Sequence, residues 1–301
     1  MKQSLFLQAQ NILRAKKQKA QSMAAAELNR ALQIDEFKLA YSQLATAKIE
    51  QAKALSEGKD NSAALNIAQK HFDEIIKKYK IGVIEAHPIC KNCNDTGIID
   101  GKYCSCIKKE ISKLLQAQSG FDSLENFEEA NFDIFDNPDH IKKVYSLMQK
   151  WSNSPTKKTL VLLFGNTGTG KTHLSKCMAK ELIDNGVLTQ MLTAFSLNQK
   201  FLAIHTARED EKETLLSDLF SSEALFIDDL GTEPVYRNVT REYLYLLINE
   251  RQARGLRTVI TSNFGPEQLR THYDERILSR IVDKDRAIAI ELNGRDLRVK
   301  K

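Results

Sequence analysis

The segment Gly165–Thr172, GNTGTGKT, matches G-x-x-x-x-G-K-[ST] and constrains this chain more than any other feature. It follows an apolar run, TLVLLF at 159–164, and precedes a helix-like run, HLSKCMAKELIDNG. Such a loop needs that context. Its glycines let the backbone curl so that N–H groups converge on phosphate oxygens, and the helix N-terminus adds partial positive charge. Further β-rich runs at 188–193, 224–228 (ALFID) and 258–262 (TVITS) alternate with helical patterns. Strands alternating with helices predict an α/β domain, a mostly parallel sheet between helices. Within the loop, Gly165, Asn166, Thr167, Gly168, Thr169 and Gly170 are expected to wrap phosphate, with His173 just beyond. Lys171 is expected against the β- and γ-phosphates and Thr172 on Mg²⁺.

A phosphate site also needs acid. The apolar run ALFID ends in Asp228 and Asp229, 57 residues after Lys171. Asp228 is placed to hold Mg²⁺, directly or through water. Asp229 is placed to orient and polarise an attacking water. Asn263, at the tip of TVITSN, can hold that water, although an Asn at a strand end is more often a turn former. Arg276 and Arg280 stand four apart in ERILSRIVD and share one helical face. Phosphoryl transfer gains most from a charge at the γ-phosphate, which favours an arginine finger over a solvated face. A finger reaching a neighbouring subunit implies self-association.

GNTGTGKTHL, FIDDLGTEP, NVTREYLYLLINERQARGLRTVITSN, YDERILSRIVD and the terminal GRDLR together resemble the AAA+ ATPases of the DnaC/DnaI helicase-loader group. The resemblance covers 121–301 and is closer to the phage and Firmicute-like loaders that carry a cysteine cluster ahead of the ATPase. It implies ATP and Mg²⁺ as cofactors, and ATP-dependent delivery of a hexameric replicative helicase onto single-stranded DNA. It also implies that Arg280 is the trans-acting finger and Arg298 a second sensor arginine. Only 21 residues follow Arg280, too few for a helical lid domain. Many related ATPases carry Glu where this chain has the shorter Asp229. An IstB-like transposition helper shares the ATPase blocks, and a non-hydrolysing, nucleotide-switched adaptor is the alternative of another class.

Four of the five cysteines, Cys90, Cys93, Cys104 and Cys106, form C-x₂-C-x₁₀-C-x-C. Two close pairs across a short loop suit tetrahedral Zn²⁺ with four thiolates, and four thiolates leave no open position for catalysis. His87 can substitute for one cysteine, and a redox C-x-x-C or buried thiols are the alternatives. Asn94–Gly97 and Asp100-Gly101 supply turns around Ile98 and Ile99, which predicts a small β-hairpin between the pairs. Cys177, on the helix after the phosphate loop, reads as a core residue.

Ahead of the cysteines, 3–57 contains neither Gly nor Pro and is rich in Ala, Gln, Lys and Leu, all strong helix formers. Gly58 reads as its C-cap. A second helix carries Leu65, Ala68, Phe72, Ile75 and Tyr79, so the front of the chain reads as a helical hairpin. Three parts follow: 1–86 helical and helicase-docking, 87–120 zinc module and linker helix with a hinge at Ser119-Gly120, and 121–301 ATPase. Charge divides the same way. Residues 1–86 hold 14 Lys and Arg against 9 Asp and Glu, whereas 121–301 hold 25 against 27. The ATPase body has no bulk attraction for DNA, so contact there needs a local patch. Phe195, Phe201 and Phe220 are expected in the core by their spacing. No apolar run approaches the ~18 residues of a membrane span, and no signal peptide is read, which places the chain in the cytoplasm.

Overall fold

The computed structural model describes residues 2–118 and 123–298. The expected hinge at Ser119-Gly120 lies outside the described residues. The chain forms two compact units, Gln10–Thr96 and a larger one from Gly97 onward that includes the first nine residues.

The smaller unit is helical. Helix α1 (Lys2–Ala31) enters it from the larger unit, and α2 (Asp35–Ser56) and α3 (Ser62–Lys78) complete it. The uninterrupted helix expected over 3–57 is a correction: the chain turns at Leu32–Ile34. The reason is packing. Ala31 and Phe37 are fully buried in one cluster with Leu44, Phe72 and Ile75, and a straight rod cannot bring both to it. The α2–α3 hairpin is as expected. At the end of α2, Gly58 takes φ +74°. Gly58 N donates to Leu55 O (3.1 Å) and Lys59 N to Ala54 O (2.8 Å). That pair of bonds is the Schellman cap a C-terminal glycine permits.

Next, β1 (Ile98–Ile99) and β2 (Lys102–Tyr103) pair antiparallel, with Ile98 opposite Tyr103. Asp100 and Gly101 between them have φ +49° and +73°, the backbone a two-residue primed turn requires. Helix α4 (Ser105–Gln118) follows.

The rest of the chain is α5 (Pro138–Asn153), β3 (Leu160–Phe164), α6 (Lys171–Asp184), β4 (Thr189–Thr193), α7 (Ala194–Thr206), α8 (Glu209–Leu219), β5 (Ala224–Asp228), α9 (Thr240–Ala253), β6 (Arg257–Ser262), α10 (Pro266–His272), α11 (Glu275–Ile281) and β7 (Ala287–Glu291). All five strands are parallel, in the order β4-β5-β6-β3-β7. Side chains alternate across the sheet. Leu160, Leu162, Leu225, Ile227 and Ile260 fill one core, and Val161, Leu163, Phe226 and Val259 fill another. Helices cover both faces, which is why these strands read as continuous apolar runs.

Strand β7 was not legible. Within AIAIE only Ala287 is buried, Ile288 and Ile290 are half-buried, and Ala289 and Glu291 are exposed, as at a sheet edge. No helical lid follows α11 among the described residues; the chain returns to the sheet instead. Phe201 is buried and Phe220 packs against the core, but Phe195 is a correction: it is 55% exposed near the start of α7. Six residues separate Phe195 from Phe201, a spacing that does not repeat one helical face. Cys177 is buried in the core, and burial pushes its thiol up to about 12.

Candidate nucleotide site and cysteine cluster

Parallel topology brings the C-terminal ends of β3, β5 and β6 together, and the loops leaving those ends build the site. After β3 the chain curls through Gly168 (φ +78°) and Gly170 (φ +89°) into α6. Lys171, the first residue of α6, is buried inside the curl. Its Nζ donates to Gly165 O (2.8 Å) and Asn166 O (2.6 Å). Burial pulls its pKa down, Asp229 and Asp228 oppose that, and Arg298 adds to the lowering. An ammonium held this way is poised for stronger acceptors than carbonyls, such as phosphate oxygens.

Asp228 ends β5. It accepts from Thr172 Oγ1 (3.1 Å) and from Thr261 Oγ1 (2.7 Å). Asp229 leaves the strand with φ +62°, a left-handed conformation that a short polar residue tolerates. Its N–H donates to Thr261 Oγ1 (2.8 Å) and its Oδ1 accepts from Asn263 Nδ2 (2.7 Å). Burial raises the Asp229 pKa and Asp228 adds to it, while Lys171 and Arg298 pull it back. The donor set, a hydroxyl beside a carboxylate, fits a small hard cation such as Mg²⁺.

These groups face a cavity of about 340 Å³, in the range of ligand pockets. Thr167, Gly168, Lys171, Thr172, Asp229 and Asn263 line it, as do Ile134, Phe135, Leu297 and Arg298. His173 lies at the edge, its Nδ1 2.9 Å from Tyr145 Oη, and burial pulls its pKa down. The structure thus brings Lys171, Thr172, His173, Asp229, Asn263 and Arg298 to one cavity, with Asp228 bonded to Thr172 beneath it. It does not bring Arg280 there. Arg280 lines a separate depression with Arg276, Tyr245 and Asp283, and no residue lines both. Arg276 stacks over Tyr245 (5.3 Å) and pairs with Asp274 (3.1 Å) and Glu242 (3.5 Å).

Three sets of residues escaped the sequence reading. Thr261 stands two positions before Asn263 on β6, so period 2 puts it on the same face; that signal was available. Glu233 is buried and accepts from Tyr273 Oη and from Gly231 N (2.9 Å), fixing the loop after Asp229. No local pattern marks that pair, because 40 residues separate its members. Ile134 had no motif at all, and Leu297, inside GRDLR, was not singled out.

In the cysteine cluster, the sulfurs of Cys90, Cys93, Cys104 and Cys106 all lie within 4.8 Å of one another. A tetrahedral Zn²⁺ with bonds of ~2.3 Å places its sulfurs roughly 3.8 Å apart, so the donor set fits that ion. Asp95 accepts from Cys90 N (2.7 Å), and Cys104 N donates to Gly97 O (2.9 Å). His87 is not among the four grouped side chains.

A family model described as "IstB-like ATP binding protein" matches residues 107–301, more than half of the chain. The chain belongs to this family. Its sheet order, with the glycine loop after β3 and the acid pair after β5, is that of an AAA+ fold. The expected likeness to helicase-loader ATPases also recurs. The replicative helicase loader DnaI of Bacillus subtilis (strain 168) is 23% identical over 184 residues, 58% of this chain and 58% of DnaI. The chromosomal replication initiator protein DnaA of Mesoplasma florum is 26% identical over 121 residues, 40% of this chain and 27% of DnaA. A crystal structure of the DnaC helicase loader matches with a TM-score of 0.46 at 20% identity, over 55% of this chain and 96% of that one. This IstB-like chain therefore spans little more than half the length of DnaI and about a quarter of DnaA. Its four clustered cysteines all precede the matched segment. No helix among the described residues is long and apolar enough to cross a membrane.

Proposed function

We propose that this IstB-like chain is an ATPase that loads a hexameric replicative helicase onto single-stranded DNA. The observation that carries the ATPase part is the convergence of Lys171, Thr172, Asp229, Asn263 and Arg298 on one cavity. In this reading Lys171 and the N–H groups of Gly165–Thr172 bind the β- and γ-phosphates of ATP. Thr172 and Asp228 hold Mg²⁺, which supplies charge neutralisation on the phosphates. Asp229 takes the proton of the attacking water, and Asn263 orients the Asp229 carboxylate and that water. Its raised pKa suits Asp229 to accept a proton near neutral pH better than an ordinary aspartate. Arg280 acts on the nucleotide of a neighbouring copy, in keeping with its place outside its own cavity. The cysteine cluster holds structural Zn²⁺.

The helicase-loading part draws support from the likeness to DnaI. Residues 1–86 then dock the helicase, 87–120 carry the zinc module, and 121–301 bind ATP and single-stranded DNA. The test mixes the protein with a hexameric helicase, ATP and single-stranded DNA covered by its binding protein. Helicase loading that depends on ATP and on Lys171 is expected; no gain in loading sinks the reading. The match to the IstB-like ATP binding protein family keeps a second reading, the transposition helper that shares these ATPase blocks. ATP-dependent stimulation of strand transfer, with no effect on helicase loading, would select it.

A further inference from the structure

Two stretches, 130–136 and 292–298, the second ending in GRDLR, meet over the phosphate loop. Strand β7 delivers the second. Leu292 N donates to Phe164 O (2.8 Å) as the chain runs off the sheet beside the end of β3. From there the tail lies directly on the loop. Leu297 N donates to Gly168 O (3.0 Å), and a side chain at Gly168 would collide with the Asp296 carboxylate. A side chain at Gly165 would likewise collide with Leu292 O. Glycine at these two positions therefore serves the tail as well as phosphate.

The tail is also tied to the 130–136 stretch. Arg295 N donates to Asp136 Oδ2 (2.9 Å), Arg295 Nη2 to Ile134 O (3.1 Å), and Arg295 Nε lies 3.5 Å from Asp136 Oδ1. Gly294 makes the approach possible, with φ +150° and Asp136 Oδ2 at 3.3 Å from where a Cβ would stand. Arg298 N then donates to Asp296 Oδ1 (2.9 Å), a turn that leaves Arg298 lining the cavity.

We propose that 292–298 is a strap over the phosphate loop, and that Arg295 is its positioning residue. By gripping Asp136 and Ile134, Arg295 closes the cavity between Ile134–Phe135 and Leu297–Arg298. It thereby sets how long a nucleotide stays. Arg295 touches no nucleotide; it acts through the wall it closes and through Arg298. The inference rests on the nucleotide reading above. The Arg295 and Asp136 side chains are half exposed, so the grip is screened by salt and gives a moderate, tunable hold.

The experiment measures release of a fluorescent ATP analogue, with Mg²⁺, from the full chain by stopped flow. Arg295→Ala and Asp136→Asn are each expected to speed release on the order of fivefold, the scale of one or two lost charge-assisted hydrogen bonds. Their melting temperatures should stay near that of the parent. Arg298→Ala should speed release less in an Arg295→Ala background than in the parent, and the swap Asp136→Arg with Arg295→Asp should recover part of the hold. Raising salt should speed release from the parent more than from Arg295→Ala. A parent that retains the analogue while Arg295→Ala releases it at the same rate overturns the strap alone. A parent that retains no analogue overturns the nucleotide reading, and the strap with it.

Discussion

The cysteine cluster and the nucleotide cavity are both sites made of a few side chains, yet they are built on opposite principles. The cluster takes all four sulfurs from one stretch, Cys90 to Cys106, bent by a two-residue turn. The cavity takes its groups from five places: the wall at Ile134, the loop at Lys171, the strand ends at Asp229 and Asn263, and the tail at Arg298. A local site needs only turn chemistry and an ion. A distributed site needs the whole sheet, in the right order, before its parts meet. The first should therefore depend on metal and the second on the fold, each independently of the other.

The largest expected effect tests that independence. Structural zinc supplies about 10 kcal/mol or more of local folding free energy in small thiolate modules. Cys93→Ser should abolish stoichiometric zinc and expose the amides of 90–106 to hydrogen exchange, while binding of an ATP analogue persists. Loss of nucleotide binding as well would show that the two sites are one cooperative structure. Next comes Arg280→Ala. If the finger reaches a neighbour, turnover should fall roughly 10³-fold with nucleotide affinity unchanged. An unchanged rate would confine the site to one subunit. Lys171→Ala should weaken ATP binding roughly 100-fold, the order of two lost charge-assisted contacts, measured by calorimetry.

The smallest effect is on stability. Burial and Asp228 raise the Asp229 pKa above its unfolded value, so the folded chain binds this proton more tightly than the unfolded one does. Stability tied to this group is then fully present below the unfolded carboxylate pKa, and is lost as pH rises through the folded pKa. Asp229→Asn should accordingly melt slightly higher than the parent near pH 7, with the gap closing as pH falls toward 4. Hydrolysis should fall at every pH. A gap that widens on acidification would show the carboxylate to be stabilising.

Legibility followed the same division. The glycine loop, the acid pair and the cysteine spacing each announce a chemistry in under 20 residues, and each stood where its pattern placed it. Strands β3, β4, β5 and β6 were readable because buried strands demand apolar runs. Strand β7, at the sheet edge and buried only at Ala287, was not read, and with it went the path of the tail. The turn at Leu32–Ile34 escaped because no Gly or Pro marks it; the burial of Phe37 against Ala31 makes it. Thr261 was inferable from strand period, whereas Glu233 with Tyr273 and Asp136 with Arg295 join residues 40 and 159 positions apart.

The sequence by itself thus determined the chemistry: which residues can cradle phosphate, hold a divalent cation or ligate zinc. These depend on residue type and short spacing, which survive in one dimension. Only the tertiary structure decided which of those residues share a cavity, that Arg280 is not among them, and that the last described turn of chain lies across the loop. The reason is physical. Lys171, Asp229 and Arg298 lie far apart along the chain, and only the pairing of β3 with β6 and β7, and of β5 with β6, brings them within reach of one ligand.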